Sequence, residues 1–565
     1  MSLFDTVLLD YDPNRPDETI LATLKAVARK DASIGAYNYH VDNNTVDRVL
    51  YPGHIKGAMS YHAITMGSPY PDILPHQKTW RRAIEYADTF QKPIEDEIGI
   101  YAFLESLAKT GLFGSRAIIE YQPPIKERNT FSADAPSPTD EIKKSIGEMF
   151  RKKGIPVTDT SKQIFYILHT SLEMTSFGIS SLAAMDPHSK GKTFLLAAPY
   201  FEPTIVFPYR HSYKPKIIDT NDTNFILTAE KLQQAIDEAG GPHNIGGLLL
   251  TSPNHITQQP MPREELQKIA EIIVRNNLHV ICDELYDLRP NGLQSNEPPS
   301  LASLTVTIDG KEHRLHDYVF TVDGSSKRYN LQGRKGYPKA GVGTTGNAEW
   351  LETLETERTK LADLAKQAGL DASREDKSML LIAYMLEHTP GSYFIDNAEH
   401  YRNVSQDIER LFEIMRLKYG LDEKDISFTR TPEYAFFQFV KLAPELAAKV
   451  GITNSEELQQ YMMCYAGVLT AGEQGSGCNQ IGVRINPAAT MGMYPNGVTV
   501  ATDGLERIFK MVSNIKKGHA PPYEEIKRHM DGVINEFISV QETRTAGAQQ
   551  RRLLKEQRSY AVRSI

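Results

Sequence analysis

Cysteine is scarce in this 565-residue chain: Cys282, Cys464 and Cys478 are the only three, and their spacing suits no metal site. So few thiols, odd in number, build no disulfide framework and fit a reducing compartment. No apolar run approaches the roughly 20 residues that span a bilayer. The opening residues Met1-Ser2-Leu3-Phe4-Asp5 have neither a basic start nor an apolar stretch with a cleavage site, so no secretory signal is expected. A basic excess is missing too. The 63 Lys and Arg stand against 71 Asp and Glu, a net charge of −8 that draws in neither nucleic acid nor an anionic membrane. There is no internal repeat and no long low-complexity tract. These absences leave a cytoplasmic enzyme as the expectation.

What is present is a globular composition, 40% hydrophobic and 24% charged, in a chain too long for one ordinary domain. Residues 1–140 mix helical patches with Pro- and Asp-rich turns and read as an N-terminal extension, with an insertion around Asp96–Asp140. An amphipathic helix is expected from Asp140. From about 160 to 345, short apolar runs (Ile164–Leu168, Thr193–Ala197, Gly247–Thr251, His279–Cys282, Tyr318–Val322) alternate with helical patterns such as Pro262–Asn276. That alternation predicts an α/β domain on a largely parallel sheet over 141–347, with ligands at the carboxyl ends of the strands. A helical connection over 348–420 includes a long helix from Glu399 to Tyr419. A second, smaller α/β domain is expected over 421–535. In the tail, 536–565, the stretch Gln541–Ile565 sets Arg544, Arg551, Arg552, Lys555, Arg558 and Arg563 against two acids. Such a run reads as a solvated or frayed helix end, or as a subunit or nucleic-acid contact.

Three segments carry chemistry. Ile281-Cys282-Asp283-Glu284-Leu285-Tyr286 is an apolar strand ending in an acid, with a phenol three residues on. A buried carboxylate there would keep a pyridine nitrogen protonated, though strand-ending acids are common in their own right. Upstream lies Thr251-Ser252-Pro253-Asn254-His255-Ile256-Thr257. Downstream, Asp323-Gly324-Ser325-Ser326-Lys327-Arg328 sets a lysine after a strand among hydroxyls and glycine, with Arg334 following. Hydroxyls and a guanidinium suit phosphate oxygens, and the amine suits a Schiff base.

In order over about residues 140–515, these segments resemble the class I/II aminotransferases, fold type I enzymes dependent on pyridoxal 5'-phosphate. The resemblance implies a large domain on a mostly parallel sheet plus a smaller C-terminal α/β domain. It implies Lys327 as the Schiff-base lysine, Asp283 on the pyridine nitrogen and Tyr286 at the ring oxygen. The turn holding Thr170, Ser171 and Leu172 resembles the phosphate-binding helix start, and Phe201 stands at the position of the aromatic residue that stacks on the ring. Gly482-Val483-Arg484-Ile485-Asn486 places Arg484 where the family grips a substrate α-carboxylate. Gly67 resembles the N-terminal glycine over the substrate. A homodimer is also implied, with a residue from 60–125 of the partner subunit entering each site; Tyr70 and Tyr121 are candidates.

The chain departs from the family pattern at several points. His255 replaces the asparagine that bonds the ring oxygen, unless neighbouring Asn254 takes that part. Ile256 and Gln258 replace a proline and a glycine. Gly324 stands where a phosphate serine is usual, leaving Ser325 or Ser326, and the stretch to the arginine is one residue short, which favours Arg334 over Lys335. An amino-acid aminotransferase is therefore the first expectation. Decarboxylation, elimination or replacement, and cyclisation by a relative in a specialised biosynthetic pathway stand beside it. A DNA-binding regulator on this fold would need a basic recognition helix, and 1–140 shows none.

Overall fold

The computed structural model describes residues 138–528, apart from 169–170, 288–298, 329–339, 368–378, 380–381, 384–385, 388–390, 430–436, 467–469 and 486–499. The expected N-terminal extension and the basic tail fall outside the described residues, and so do Gly67, Tyr70, Tyr121, Thr170 and Arg334.

The large sheet is built from β1 (Ile164–Leu168), β2 (Thr193–Ala197), β3 (Lys214–Ile218), β4 (Ile245–Thr251), β5 (Val280–Asp283), β8 (Val319–Gly324) and β9 (Ala340–Thr344). Its order is β1-β9-β8-β5-β4-β2-β3. Every pairing is parallel except those of β9, which runs antiparallel to both β1 and β8. A small hairpin, β6 (Thr305–Ile308) with β7 (Lys311–Arg314), stands apart.

Both faces of this sheet are covered, so its strands are apolar on consecutive residues rather than alternating with polar ones. Leu248, Leu250, Val280 and Cys282 pack with α1 (Pro138–Lys152), α3 (Ala229–Glu238) and α4 (Arg263–Arg275) on one side. Leu249, Ile281 and Phe320 pack on the other with α2 (Ser171–Met185) and α6 (Ala348–Gln367), through Phe177, Ile179 and Trp350. Each such side chain, fully buried, contributes roughly 1.5–3 kcal/mol. Between α4 and α6 lies a single turn, α5 (Ser325–Arg328), at the end of β8.

The smaller sheet has the order β10 (Ile426–Thr429), β11 (Gln438–Leu442), β13 (Gly482–Ile485), β12 (Ala471–Gly472), all antiparallel. Its core joins α7 (Gly391–Tyr419) to α9 (Val500–Lys516); the rings of Phe412 and Phe509 meet edge to face at 4.9 Å. Helix α8 (Ser455–Tyr461) precedes β12. The long helix begins at Gly391, eight residues before the expected Glu399. Among the described residues no helix is long and apolar enough to cross a membrane.

Candidate active site

The carboxyl ends of β4, β5 and β8 lie side by side, since Thr251 pairs with Asp283 and Asp283 with Val322. The three chemistry-bearing segments of the sequence leave the sheet there. Asp283 is 6% exposed, and its Oδ1 accepts the Leu285 N–H at 3.0 Å. Burial pushes its carboxyl up to about 7, the backbone bond pulls it down, and Asp323 and Glu284 add to the rise. Tyr286 is buried, and loss of water raises its phenol well above the ordinary value, although Arg484 opposes this. Lys327 on α5 brings its Nζ to 5.3 Å from the centre of the Tyr286 ring and 5.7 Å from that of Phe437. Arg484 on β13 lays its guanidinium 4.1 Å from the same Phe437 ring.

His255 and Asn254 divide their work clearly. Asn254 Oδ1 accepts from the N–H groups of Ile256 (3.0 Å) and Thr257 (2.8 Å), while its Nδ2 donates to the Phe225 carbonyl and Thr257 Oγ1. Asn254 is thus spent on shaping its own turn. The His255 ring reaches the site: it stands edge-on to Phe201 at 6.4 Å and 6.1 Å from Tyr286. Its Nε2 lies 2.8 Å from Glu473 Oε2 and 3.2 Å from Ser476 Oγ, and its buried Nδ1 has no partner among the described residues. Burial holds the imidazole below its usual value, with Glu473 opposing and Arg484 and Lys327 assisting.

Glu473 is the group the sequence reading missed. Its Oε1 forms an ion pair with Arg484 Nε at 2.7 Å, and its Oε2 takes both His255 and Ser476. Burial alone would raise this carboxyl, but Arg484 and His255 outweigh it and hold the group at about 2. A lone acid among small residues in Gly472-Glu473-Gln474-Gly475 was the available signal. The segment is strapped to the large domain: Tyr200 N–H donates to the Ser476 carbonyl, and Asn221 Nδ2 to the Gly477 carbonyl.

The remaining departures have physical causes. A Cβ at Gly324 would stand 2.6 Å from the Ala340 carbonyl oxygen, because antiparallel β9 crowds the end of β8, so a serine has no room. Ser325 is buried and its Oγ accepts the Ala340 N–H at 3.0 Å, which ties α5 to β9; its expected phosphate role has only the hydroxyl proton left to offer. Gln258 adopts a left-handed φ of 52° and accepts the Phe437 N–H at 3.0 Å, so a side chain at a strained position gains a tether to the aromatic residue beneath Arg484. Ser171 and Leu172 open α2, where free N–H groups gather. Leu172's side chain packs into the core.

A buried ion cluster that no local motif announces surrounds Lys153. Lys153 Nζ lies 2.5 Å from Glu284, 3.1 Å from Asp323 and 3.5 Å from Asp287, and Arg328 bonds Asp323 at 2.7 Å. Ser300 Oγ donates to Glu284 at 2.5 Å. Burial disfavours the Lys153 charge, but three carboxylates outweigh it and raise its pKa. Arg328 follows Lys327 directly, so this cluster fixes the turn that carries the amine.

The chemistry of the donor set fits pyridoxal phosphate. A buried Asp283 that is costly to ionise alone gains most from a cationic ring N–H; Phe201, 38% exposed, offers a face for stacking; Lys327 offers the amine.

The profile described as Aminotransferase class I and II matches residues 175–498. Aspartate aminotransferase of Bacillus sp. (strain YM-2) is 23% identical over 296 residues, 52% of this chain and 63% of that protein. The match to 1-aminocyclopropane-1-carboxylate synthase of Vigna radiata var. radiata is local: 29% identity over 112 residues, 19% of this chain and 29% of that one. The chain therefore matches less than two thirds of the length of these curated relatives. Among solved structures, an aromatic aminotransferase from Pyrococcus horikoshii OT3 superposes with a TM-score of 0.52 at 16% identity, covering 80% of this chain and 95% of that one, which shows the shared fold. Proteins of the matched family depend on pyridoxal 5'-phosphate. Its profile spans well over half of the sequence, and the chain belongs to the aminotransferase class I and II family.

Proposed function

We propose that the protein is a pyridoxal-phosphate-dependent aminotransferase acting on an amino acid. One observation carries the reading: an amine (Lys327), a buried acid (Asp283) and a guanidinium (Arg484) converge on one aromatic-walled site at the carboxyl edge of the sheet. Pyridoxal phosphate, when bound, supplies an aldehyde that joins amines and a protonated ring that draws electrons from a bond at Cα. Lys327 would hold that aldehyde through its amine and, when free, would serve as the base that moves a proton at Cα. Asp283 would keep a proton on the ring nitrogen. Tyr286 and His255 would face the ring oxygen, Phe201 would offer the stacking face, and Arg484 would orient a substrate carboxylate.

Borohydride treatment should leave a reduced pyridoxyl adduct on Lys327, absent from Lys327→Ala; a colourless protein that takes up no added pyridoxal phosphate would end the reading. Incubation with amino acids and 2-oxoglutarate should form glutamate. The local likeness to aminocyclopropane-carboxylate synthases and the His255 replacement favour, as a second reading, a relative that decarboxylates, eliminates or cyclises. Release of CO₂ or of a cyclic product without a keto acid would establish it. A homodimer, a cytoplasmic setting and a role in biosynthesis belong to the same proposal. Sedimentation of the purified protein tests the first.

A further inference from the structure

We infer that Glu473 is a positioning residue that fixes both the fork of Arg484 and the tautomer of His255, so that His255 offers an unprotonated Nδ1 to the hydroxyl or N–H of a bound ligand. This deepens the proposed function and rests on it only for the ligand's identity. The argument follows from which groups donate. Arg484 has donors only, and its Nε lies 2.7 Å from Glu473 Oε1. The ionised carboxylate has acceptors only. The 2.8 Å contact between Glu473 Oε2 and His255 Nε2 therefore needs its hydrogen on Nε2, and Ser476 Oγ donates to the same oxygen at 2.9 Å.

A neutral imidazole with Nε2–H carries a lone pair on Nδ1. That atom is buried without a partner among the described residues, in a ring that borders Phe201 and Tyr286. A buried acceptor left unmet costs free energy, so the site is built to receive a donor there. An asparagine at this position presents an amide donor alongside its oxygen; the neutral histidine presents only the lone pair. Glu473 meets Arg484 at the Nε edge, and the guanidinium also bonds the Tyr286 hydroxyl, so the fork is held from two sides. Glu473 itself is anchored, since its N–H donates to Ser455 Oγ at 2.9 Å.

Glu473→Gln tests the inference sharply. The contact with Arg484 is an ion pair at 2.7 Å rather than an aligned hydrogen bond, and the cation attracts the amide oxygen and repels the NH₂, so the oxygen turns to Arg484 and the NH₂ faces His255 Nε2. The ring then has to carry its hydrogen on Nδ1. The readout is ¹⁵N NMR of the histidine-labelled protein as purified and again with pyridoxal phosphate, with the His255 signals assigned by their loss in His255→Asn. Wild type should show Nε2 protonated and Nδ1 bare, and Glu473→Gln should exchange the two. Ser476→Ala should leave the wild-type pattern unchanged.

A wild-type ring protonated on Nδ1, or on both nitrogens at neutral pH, overturns the inference. So does a Glu473→Gln spectrum identical to wild type, or a Ser476→Ala spectrum that flips. If Glu473→Gln does not fold, the wild-type and Ser476→Ala spectra still decide. Because the tautomer is read without cofactor, a failure here is distinct from a missing adduct at Lys327.

Discussion

Replacing Lys153 by methionine removes a buried cation that faces three carboxylates while keeping most of the side-chain volume. Its ammonium is 2.5 Å from Glu284, 3.1 Å from Asp323 and 3.5 Å from Asp287, and Arg328 then remains as the cation bonded to Asp323. Breaking a buried ion pair by deleting one partner costs about 3–5 kcal/mol, because the charges left behind stay out of water. At about 2–4 °C per kcal/mol for domains of 150–250 residues, the melting temperature should fall by about 10 °C. Three carboxylates outweigh burial and raise the Lys153 ammonium, so its contribution is fully present below the ordinary lysine value and is lost only as pH rises beyond it. The deficit should therefore persist from pH 5 to pH 8, and Glu284→Gln in the same background should recover part of it. Thermal unfolding across that range is the assay. A deficit under about 1 kcal/mol would refute the idea that this cluster holds a net buried charge in balance.

Other outcomes follow from single contacts. Asp283 is held up to about 7 in the cofactor-free chain, so its ionisation opposes folding: stability is highest below the unfolded value of about 4, declines as pH rises from there, and the loss is complete once pH has passed about 7. Asp283→Asn should therefore match wild type near pH 4, exceed it in cofactor-free melting at pH 8, and yet lose affinity for pyridoxal phosphate by fluorescence titration; equal melting curves at pH 8 would count against it. Gly324→Ala drives a Cβ to 2.6 Å from a backbone oxygen that cannot swing aside, and overpacking of this kind costs about 1–3 kcal/mol in denaturant unfolding. Gln258→Ala leaves the buried Phe437 N–H without its acceptor, a loss of about 1–3 kcal/mol. Gln258→Gly should lose less, since glycine relieves the φ of 52°.

Five strands of the large sheet were legible because a sheet covered on both faces writes continuous apolar runs, whereas edge strand β3 (Lys214–Ile218), with its lysines and proline, and glycine-rich β9 (Ala340–Thr344) carry no such run and were not read. Ile164–Leu168 and Thr193–Ala197 have the bounds read from the sequence, while β4, β5 and β8 differ at their ends by one or two residues. At those ends the pattern changes from packing to chemistry: Asp283 belongs to the strand by its backbone bonds and to the site by its charge. The reach of Lys153 could not be read, because it joins residues up to 170 positions apart and nothing local in Arg151-Lys152-Lys153-Gly154 distinguishes a buried lysine from a solvated one.

Three of the departures from the family pattern share a physical theme that only the fold reveals. Gly324 and His255 stand where the family sets a side chain on the cofactor, Gln258 adds a side chain where the family has glycine, and all three meet other elements of the chain itself. Gly324 yields to the crowding of β9, Gln258 reaches across to Phe437, and His255 turns its Nε2 to Glu473. Two of these contacts end on the loops around Arg484, since Phe437 underlies its guanidinium and Glu473 pairs with its Nε. A sequence read one motif at a time sees three weakened matches. In the folded chain, the Gln258 and His255 changes bind the loop beside the proposed cofactor site to the segment that grips the substrate. A perturbation at Gln258 should accordingly appear at Arg484, as a raised KM with cofactor capture by Lys327 intact, whereas one at Gly324 should loosen cofactor capture first.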